Sequence, residues 1–238
     1  MKNFYHILNQ FHTDFNYQKI KRANYSNNKI KGNNMKNIKV ELLHSTPLSI
    51  CSHGIRTCWN SFNKSDNGGQ KDLELIDRIG NKMKHESVKN HIHFTFYIEG
   101  ITTKTLLALT RHDVGVEFSV MSTRYTTASS IKSGKAKYTE SKSEFINKCL
   151  QDINNMVNEA VSKNIANDEI SLILPQAWQY DLTCTMSLTA VQHFLRLRTT
   201  SHAHWDIRDL AYELYNAIPS EYKYLLDDCV IEKEGDIK

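Results

Sequence analysis

The sequence predicts an α+β domain: a small antiparallel sheet covered by helices. Two segments, residues 91–98 and 178–186, alternate apolar and polar side chains at the period of a half-buried strand. Between and after them, apolar residues recur every three to four positions, as on the buried stripe of a surface helix. Hydrophobic residues make up 40% of the 238-residue chain, enough for a sizeable core.

Residues 1–34 stand apart. They are rich in Asn, Lys and Tyr and poor in aliphatics, as in NYSNNKIKGNN. Such a stretch buries too little apolar area to offset its ordering entropy. It reads as a disordered N-terminal extension, or as a tether or cap over a partner subunit. Residues 35–238 read as the domain proper, since Met35 opens a segment, MKNIKVELLHSTPL, that looks like a natural start. Residues 39–43 read as a first strand. Residues 48–62 read as a helix with Pro47 near its start. Residues 72–84 read as a charged amphipathic helix with Leu73, Ile76, Ile79 and Met83 on one stripe. In 91–98, Ile92, Phe94, Phe96 and Ile98 face one way, and His93, Thr95 and Tyr97 the other. Residues 102–110 read as a helix and 112–125 as a loop leading toward a short strand. The longest helix spans 143–164, with Phe145, Cys149, Ile153, Met156, Val157 and Ala160 as its stripe. In 178–186, Trp178, Tyr180, Leu182, Cys184 and Met186 share a face. Residues 189–198, 202–216 and 220–230 close the chain as helices.

The formal net charge of +4 suits an anionic small molecule better than nucleic acid, which calls for a denser basic stripe. Cys51, Cys58, Cys149, Cys184 and Cys229 are odd in number and lack metal-ligand spacing, so they read as reduced thiols without a metal. No stretch approaches the ~20 apolar residues of a membrane span. Nor does the start carry a signal peptide's apolar core. A cytoplasmic protein is the expectation. Neither a dinucleotide-binding glycine fingerprint nor a phosphate-binding P-loop is present.

Three polar clusters could carry chemistry. The first is His85, Ser87 and His91, just before a strand; histidines there also suit a helix end. The second is TRHDVGVEFSVMSTRYT, residues 110–126. Its guanidinium forks, Arg111 and Arg124, with Ser122 nearby, suit phosphate. They suit equally a solvated loop with ion pairs to Asp113 and Glu117. The third is HFLRLRTTSHAHWDIRD, residues 193–209. There Arg196 and Arg198 lie two apart and cannot share a helix face, so one can face solvent while the other points into a site. Trp205, Ile207, Leu210 and Leu214 have the spacing of core residues.

In order and spacing, these clusters resemble the flavin-dependent thymidylate synthases (the ThyX family), along nearly all of residues 36–231. IRTCWNSF and DNGGQKDLELIDRIGNKMKHES are similar to the opening of that family's shorter bacterial branch. TRHDVGVEFSVMSTRY is similar to its signature, and FLRLRTTSHAHWDIRDLA to its C-terminal block. The resemblance implies a ThyX-like fold and the conversion of dUMP to dTMP. Methylenetetrahydrofolate would supply the carbon, reduced FAD the hydride, and NADPH the electrons for the flavin. It further implies a homotetramer with FAD and dUMP between subunits, and no catalytic cysteine. Carried over by position, Arg198 would activate the uracil, where a guanidinium stabilises developing negative charge. Arg111, Ser122, Thr123 and Arg124 would bind dUMP. His85, Ser87, Arg111, His112, Asp113, His193 and His202 would line the FAD.

The departures fall at these sites. The signature's second arginine is Asp113. Eight residues rather than seven, Val114 to Met121, precede Ser122. Ala108 and Ser171 replace a polar and a basic residue, and the family's Asn-Ala-Arg-Ser block reads Ser187, Leu188, Thr189, Ala190. His193 replaces a flavin-binding Asn. A catalytically degenerate relative, kept as a nucleotide-binding or assembly module, is the alternative reading.

Overall fold

The computed structural model describes residues 38–231, so the extension predicted over 1–34 lies outside the described residues. The strands are β1 (Lys39–Ser45), β2 (His93–Thr102), β3 (Val116–Val120) and β4 (Gln179–Ser187). They form one antiparallel sheet in the order β1-β2-β4-β3. The helices are α1 (Leu48–Trp59), α2 (Gln70–Ile76), α3 (Glu86–Lys89), α4 (Thr103–Leu109), α5 (Thr123–Lys132), α6 (Glu144–Ser162), α7 (Asn167–Ile170), α8 (Leu188–Arg198) and α9 (Trp205–Ala217). The predicted α+β architecture is therefore present.

The alternation of the two central strands fixes the core. Register pairs Phe94 with Met186, Phe96 with Cys184 and Ile98 with Leu182, all six buried. Burying such side chains stabilises the fold by about 1.5–3 kcal/mol each. α9 packs on β1, β2 and α8, and contributes Ile207, Leu210 and Leu214 to the same core. Tyr222 closes one end, edge-on to Phe94 at 5.1 Å. The opposite face of the sheet is polar, with Thr95 and Thr185 hydroxyls 3.0 Å apart.

Two junctions place the site. At the end of β2 the register shifts at Gly100, whose φ of 77° is one a β-carbon disfavours. Its N–H donates to Asp181 Oδ1 at 3.0 Å. The strand then passes into α4, where the Thr102 hydroxyl accepts the Thr105 N–H. Buried Asp206 accepts the hydroxyls of both threonines and so ties α4 to α9. At the other end of the sheet, Ser187 ends β4 and caps α8 by accepting the Ala190 N–H. That cap is worth about 1 kcal/mol.

Several predicted boundaries and stripes are corrected. α1 stops at Trp59, where Asn60 turns left-handed, and Phe62 lies in a separate 3₁₀ turn. The 72–84 helix changes at Asp77 into a π-helical turn through Lys82. The wider turn moves the later residues off the stripe, and Met83 is exposed. On α6, Val157 and Val161 are buried, but Phe145 and Met156 are 72% and 59% exposed. β3 occupies the middle of the predicted 112–125 loop, and α5 follows it. α9 begins at Trp205 rather than 202, because His204 caps it. The 220–230 segment is a 3₁₀ turn, Ser220–Leu225, followed by further turns.

Candidate active site

α4 and α8 meet at a cluster of Arg111, His112, His193 and Arg198. The His112 N–H donates to Leu109 O at 2.9 Å, closing α4. Its ring is buried, edge-on to Phe194 at 5.0 Å and to His193 at 5.6 Å. Arg198, the last residue of α8, donates Nε–H to His112 Nε2 at 3.0 Å. An arginine has no acceptor, so Nε2 must be unprotonated and the ring neutral, with its proton on Nδ1. The electrostatics agree. Burial, then Arg198, His193 and Arg111, push the His112 pKa down to about 4, while Asp113 pulls the other way. Arg198 is lowered as well, by burial first and then by Arg111. Arg196, two residues earlier, faces solvent and pairs with Asp228 at 3.2 Å. The two arginines of this helix thus differ in surroundings, Arg196 paired at the surface and Arg198 half-buried against His112.

The second predicted group lies at the far end of β3. Ser122 sits at the N-cap position of α5 and its side chain makes no capping bond; Thr123 is the first helical residue. Arg124 is exposed and donates Nε–H to Asp168 Oδ1 at 2.9 Å. Its carbonyl accepts from Asn167 Nδ2 at 2.8 Å. The ion pairs to Asp113 and Glu117 of the solvated-loop reading are absent among the described residues; Arg124 pairs with Asp168 instead. β3 holds five residues, so on the order of 16 Å of strand separates the two groups. One chain brings Arg111, His112, His193 and Arg198 together, and leaves Ser122, Thr123 and Arg124 at the opposite end of the strand.

A sequence model of the family described as thymidylate synthase complementing protein matches residues 41–221. The flavin-dependent thymidylate synthase of Wolinella succinogenes is 42% identical over 196 residues, 78% of this chain and 96% of that protein. The enzyme of Campylobacter jejuni is 39% identical over 203 residues, 81% of this chain and 98% of its own length. The chain belongs to the flavin-dependent thymidylate synthases. The fold agrees. A crystal structure of the Helicobacter pylori ThyX, complexed with FAD and dUMP, superposes with a TM-score of 0.74 at 33% identity. The superposition covers 81% of this chain and 100% of that one.

Of the residues that the flavin-dependent thymidylate synthase resemblance places on the flavin side, His112 is buried, and His85, Ser87 and His202 are on the surface. His85 is exposed at the N-cap position of α3, and its backbone N–H donates to Ile79 O at 3.1 Å. Ser87 is exposed on α3, and His202 in the turn before α9. α3 is pinned to α8 by a lysine outside the three polar clusters. Lys89 is 3% exposed, donates to Gln192 Oε1 at 3.1 Å and pairs with Glu86 at 2.9 Å. Gln192 in turn donates to Leu225 O at 2.6 Å. The available signal was a glutamine among the apolar residues of α8, next to His193.

The altered positions are in contact with one another. The Thr189 hydroxyl donates to Asn90 Oδ1 and lies 3.2 Å from the Ser187 hydroxyl. The Ser187 N–H donates to Gly115 O at 2.8 Å. Gly115 has a φ of 72°, and a β-carbon there would stand 2.6 Å from Ser187 Oγ and 3.6 Å from Ala190 Cβ. The loop around Gly115 and the block Ser187 to Ala190 therefore fit each other: the close approach to Ser187 requires a residue without a β-carbon at 115. Asp113 is exposed and forms no ion pair among the described residues.

Proposed function

We propose that this chain converts dUMP to dTMP as a flavin-dependent thymidylate synthase. Methylenetetrahydrofolate is the carbon donor and NADPH the reductant. The site is completed between the subunits of a cytoplasmic homotetramer. The carrying observation is the cluster at the end of α8, where two arginines and two histidines crowd together with Asp113 as the nearby carboxylate. Burial first, and then the neighbouring cations, lower both His112 and Arg198, so an anionic ligand would find uncompensated donors there. That donor set fits a flavin pyrophosphate or a nucleotide, and FAD bound there would supply hydride chemistry.

In this reading Arg198 faces the pyrimidine and stabilises negative charge on it as carbon 5 becomes nucleophilic. Arg111 and His193 face the cofactor's anionic groups, and exposed His85, Ser87 and His202 are further flavin-side residues. Ser122, Thr123 and Arg124 lie too far along β3 to join the cluster of their own chain. They hold the nucleotide of a neighbouring subunit's site, which makes the homotetramer part of the catalytic unit. Residues 35–238 are the catalytic domain, and the extension is dispensable. The test is rescue of a thymidine-requiring bacterial strain: growth without thymidine supports synthesis, and no growth with abundant yellow protein counts against it.

One observation favours a second reading. Ser187, Thr189 and Asn90 satisfy each other's hydrogen bonds, where the family's Asn-Ala-Arg-Ser block would present a cation. A chain that binds nucleotide and assembles but turns over slowly would show this closure. It would hold dUMP without forming dTMP.

A further inference from the structure

Arg198 is a long side chain whose rotamer freedom must be lost before it can present its fork to a ligand. The structure shows what removes that freedom. Its inner nitrogen, Nε, is bonded to His112 Nε2 at 3.0 Å. Fixing Nε sets the plane of the guanidinium and leaves the two outer nitrogens as a fork. The acceptor is itself immobile. The backbone of His112 is tied to Leu109, and its ring is held edge-on by Phe194 and His193. Only 8% of the residue is exposed, so its main contacts are with protein rather than with a ligand.

We propose that His112 is a positioning residue for Arg198: its neutral ring, in the Nδ1–H form, aims the guanidinium at the bound pyrimidine. The proposal rests on the reading of this cluster as the synthase site and deepens it. Arg111 comes from the end of α4, and His193 and Arg198 from α8; Asp113 is the nearby anion. Protonating His112 would remove the acceptor and add a charge among those cations, so the pair holds only with a neutral ring.

The test reads the pair without any ligand. In the ¹H–¹⁵N spectrum of the full-length apo protein, the Arg198 Nε–H resonance is identified by its loss in Arg198→Lys. It moves to the position of exposed arginines in His112→Phe, which keeps a ring against Phe194 but has no acceptor. It stays in place in His112→Gln, which keeps an acceptor. With the flavin-loaded enzyme, His112→Phe lowers kcat on the order of tenfold or more, because small misplacements are costly. Its dUMP affinity is nearly unchanged, and His112→Gln recovers most of the rate. An unmoved Arg198 resonance in His112→Phe would overturn the proposal. So would equal loss of dUMP affinity in both variants, or a wild-type His112 protonated on Nε2 at neutral pH, which needs no variant to fold. If the pair is confirmed but Arg198→Ala forms dTMP normally, the synthase reading of the cluster fails instead.

Discussion

The two ends of β3 carry arginines in opposite circumstances. At the Gly115 end, Arg198 is half-buried, bonded to a neutral histidine and crowded by Arg111. At the Ser122 end, Arg124 is exposed and paired with an exposed carboxylate, Asp168. The first arrangement leaves Arg198 without an ion pair among the described residues, in a partly desolvated place, where an arriving anion gains most. The second is neutralised and solvated, and exposed pairs contribute at most about 1 kcal/mol. A ligand can exchange Asp168 for its own phosphate at little cost. On the proposed reading, the first is organised for chemistry in advance, and the second is a replaceable grip.

Removing the organised arginine should have the largest effect. Arg198→Ala should lower dTMP formation by about 10²–10³-fold, as when one group that stabilises developing charge is lost. Its circular dichroism should match the wild type. Arg196→Ala, on the solvent-facing side of the same helix, should stay within a few-fold.

The next effect is on stability. His112 has a pKa near 4 in the folded protein against an ordinary value of 6.5. Between those values the unfolded chain binds a proton that the folded chain does not, so stability falls as pH drops through that window. One proton contributes at most about 1.4 kcal/mol per pH unit, and below pH ~4 this group adds no further loss. Chemical denaturation of the apo protein at pH 6.5 and 4.5 should show the decline, and His112→Gln should flatten it. Equal slopes would mean that the His112 ring is not held neutral.

Asp113→Arg comes third. It replaces the carboxylate beside the cluster with a cation, restoring the residue that the family signature carries. A charge-assisted hydrogen bond is worth roughly 1.5–3 kcal/mol, so FAD should bind about tenfold more tightly, as read by fluorescence quenching. Unchanged or weaker binding would show that Asp113 points away from the cofactor. Asp168→Ala, at the far end, should be milder. It frees Arg124, should tighten dUMP by a few-fold, and should shift stability by less than about 1 kcal/mol. Deleting the first 34 residues should do least: a chain starting at Met35 should fold and assemble like the full one by size-exclusion chromatography.

The parts of the fold legible in the sequence were those where pattern and burial coincide. β2 and β4 alternate because one face is core and the other is polar, and each predicted apolar residue from Ile92 to Ile98 is buried. α5 was invisible because TRYTTASSIK has no apolar period. It is held instead by Ala128 and Ile131 packing against Val157, Val161 and Ile170, and by Asn167 Oδ1 accepting the Ala128 N–H. The stripe of α6 was misread at Phe145 and Met156 because a period marks an apolar face and not what covers it. Met83 was misplaced because a π-turn leaves no mark on composition. At the site, residue types and spacing singled out Arg111, His112 and Arg198. The pairing of His112 with Arg198 spans 86 positions of chain, which no local pattern encodes. The same holds for Lys89 with Gln192, and for the fit of Gly115 against Ser187.

The most direct test of the central claim is dTMP formation by the purified full-length protein. It is loaded with FAD, supplied with dUMP, methylenetetrahydrofolate and NADPH, and followed by chromatography of the nucleotide. The account predicts a yellow protein that turns dUMP into dTMP over many cycles, with each reagent required. A protein that binds FAD and dUMP but yields no dTMP would contradict it and leave the chain as a binding module.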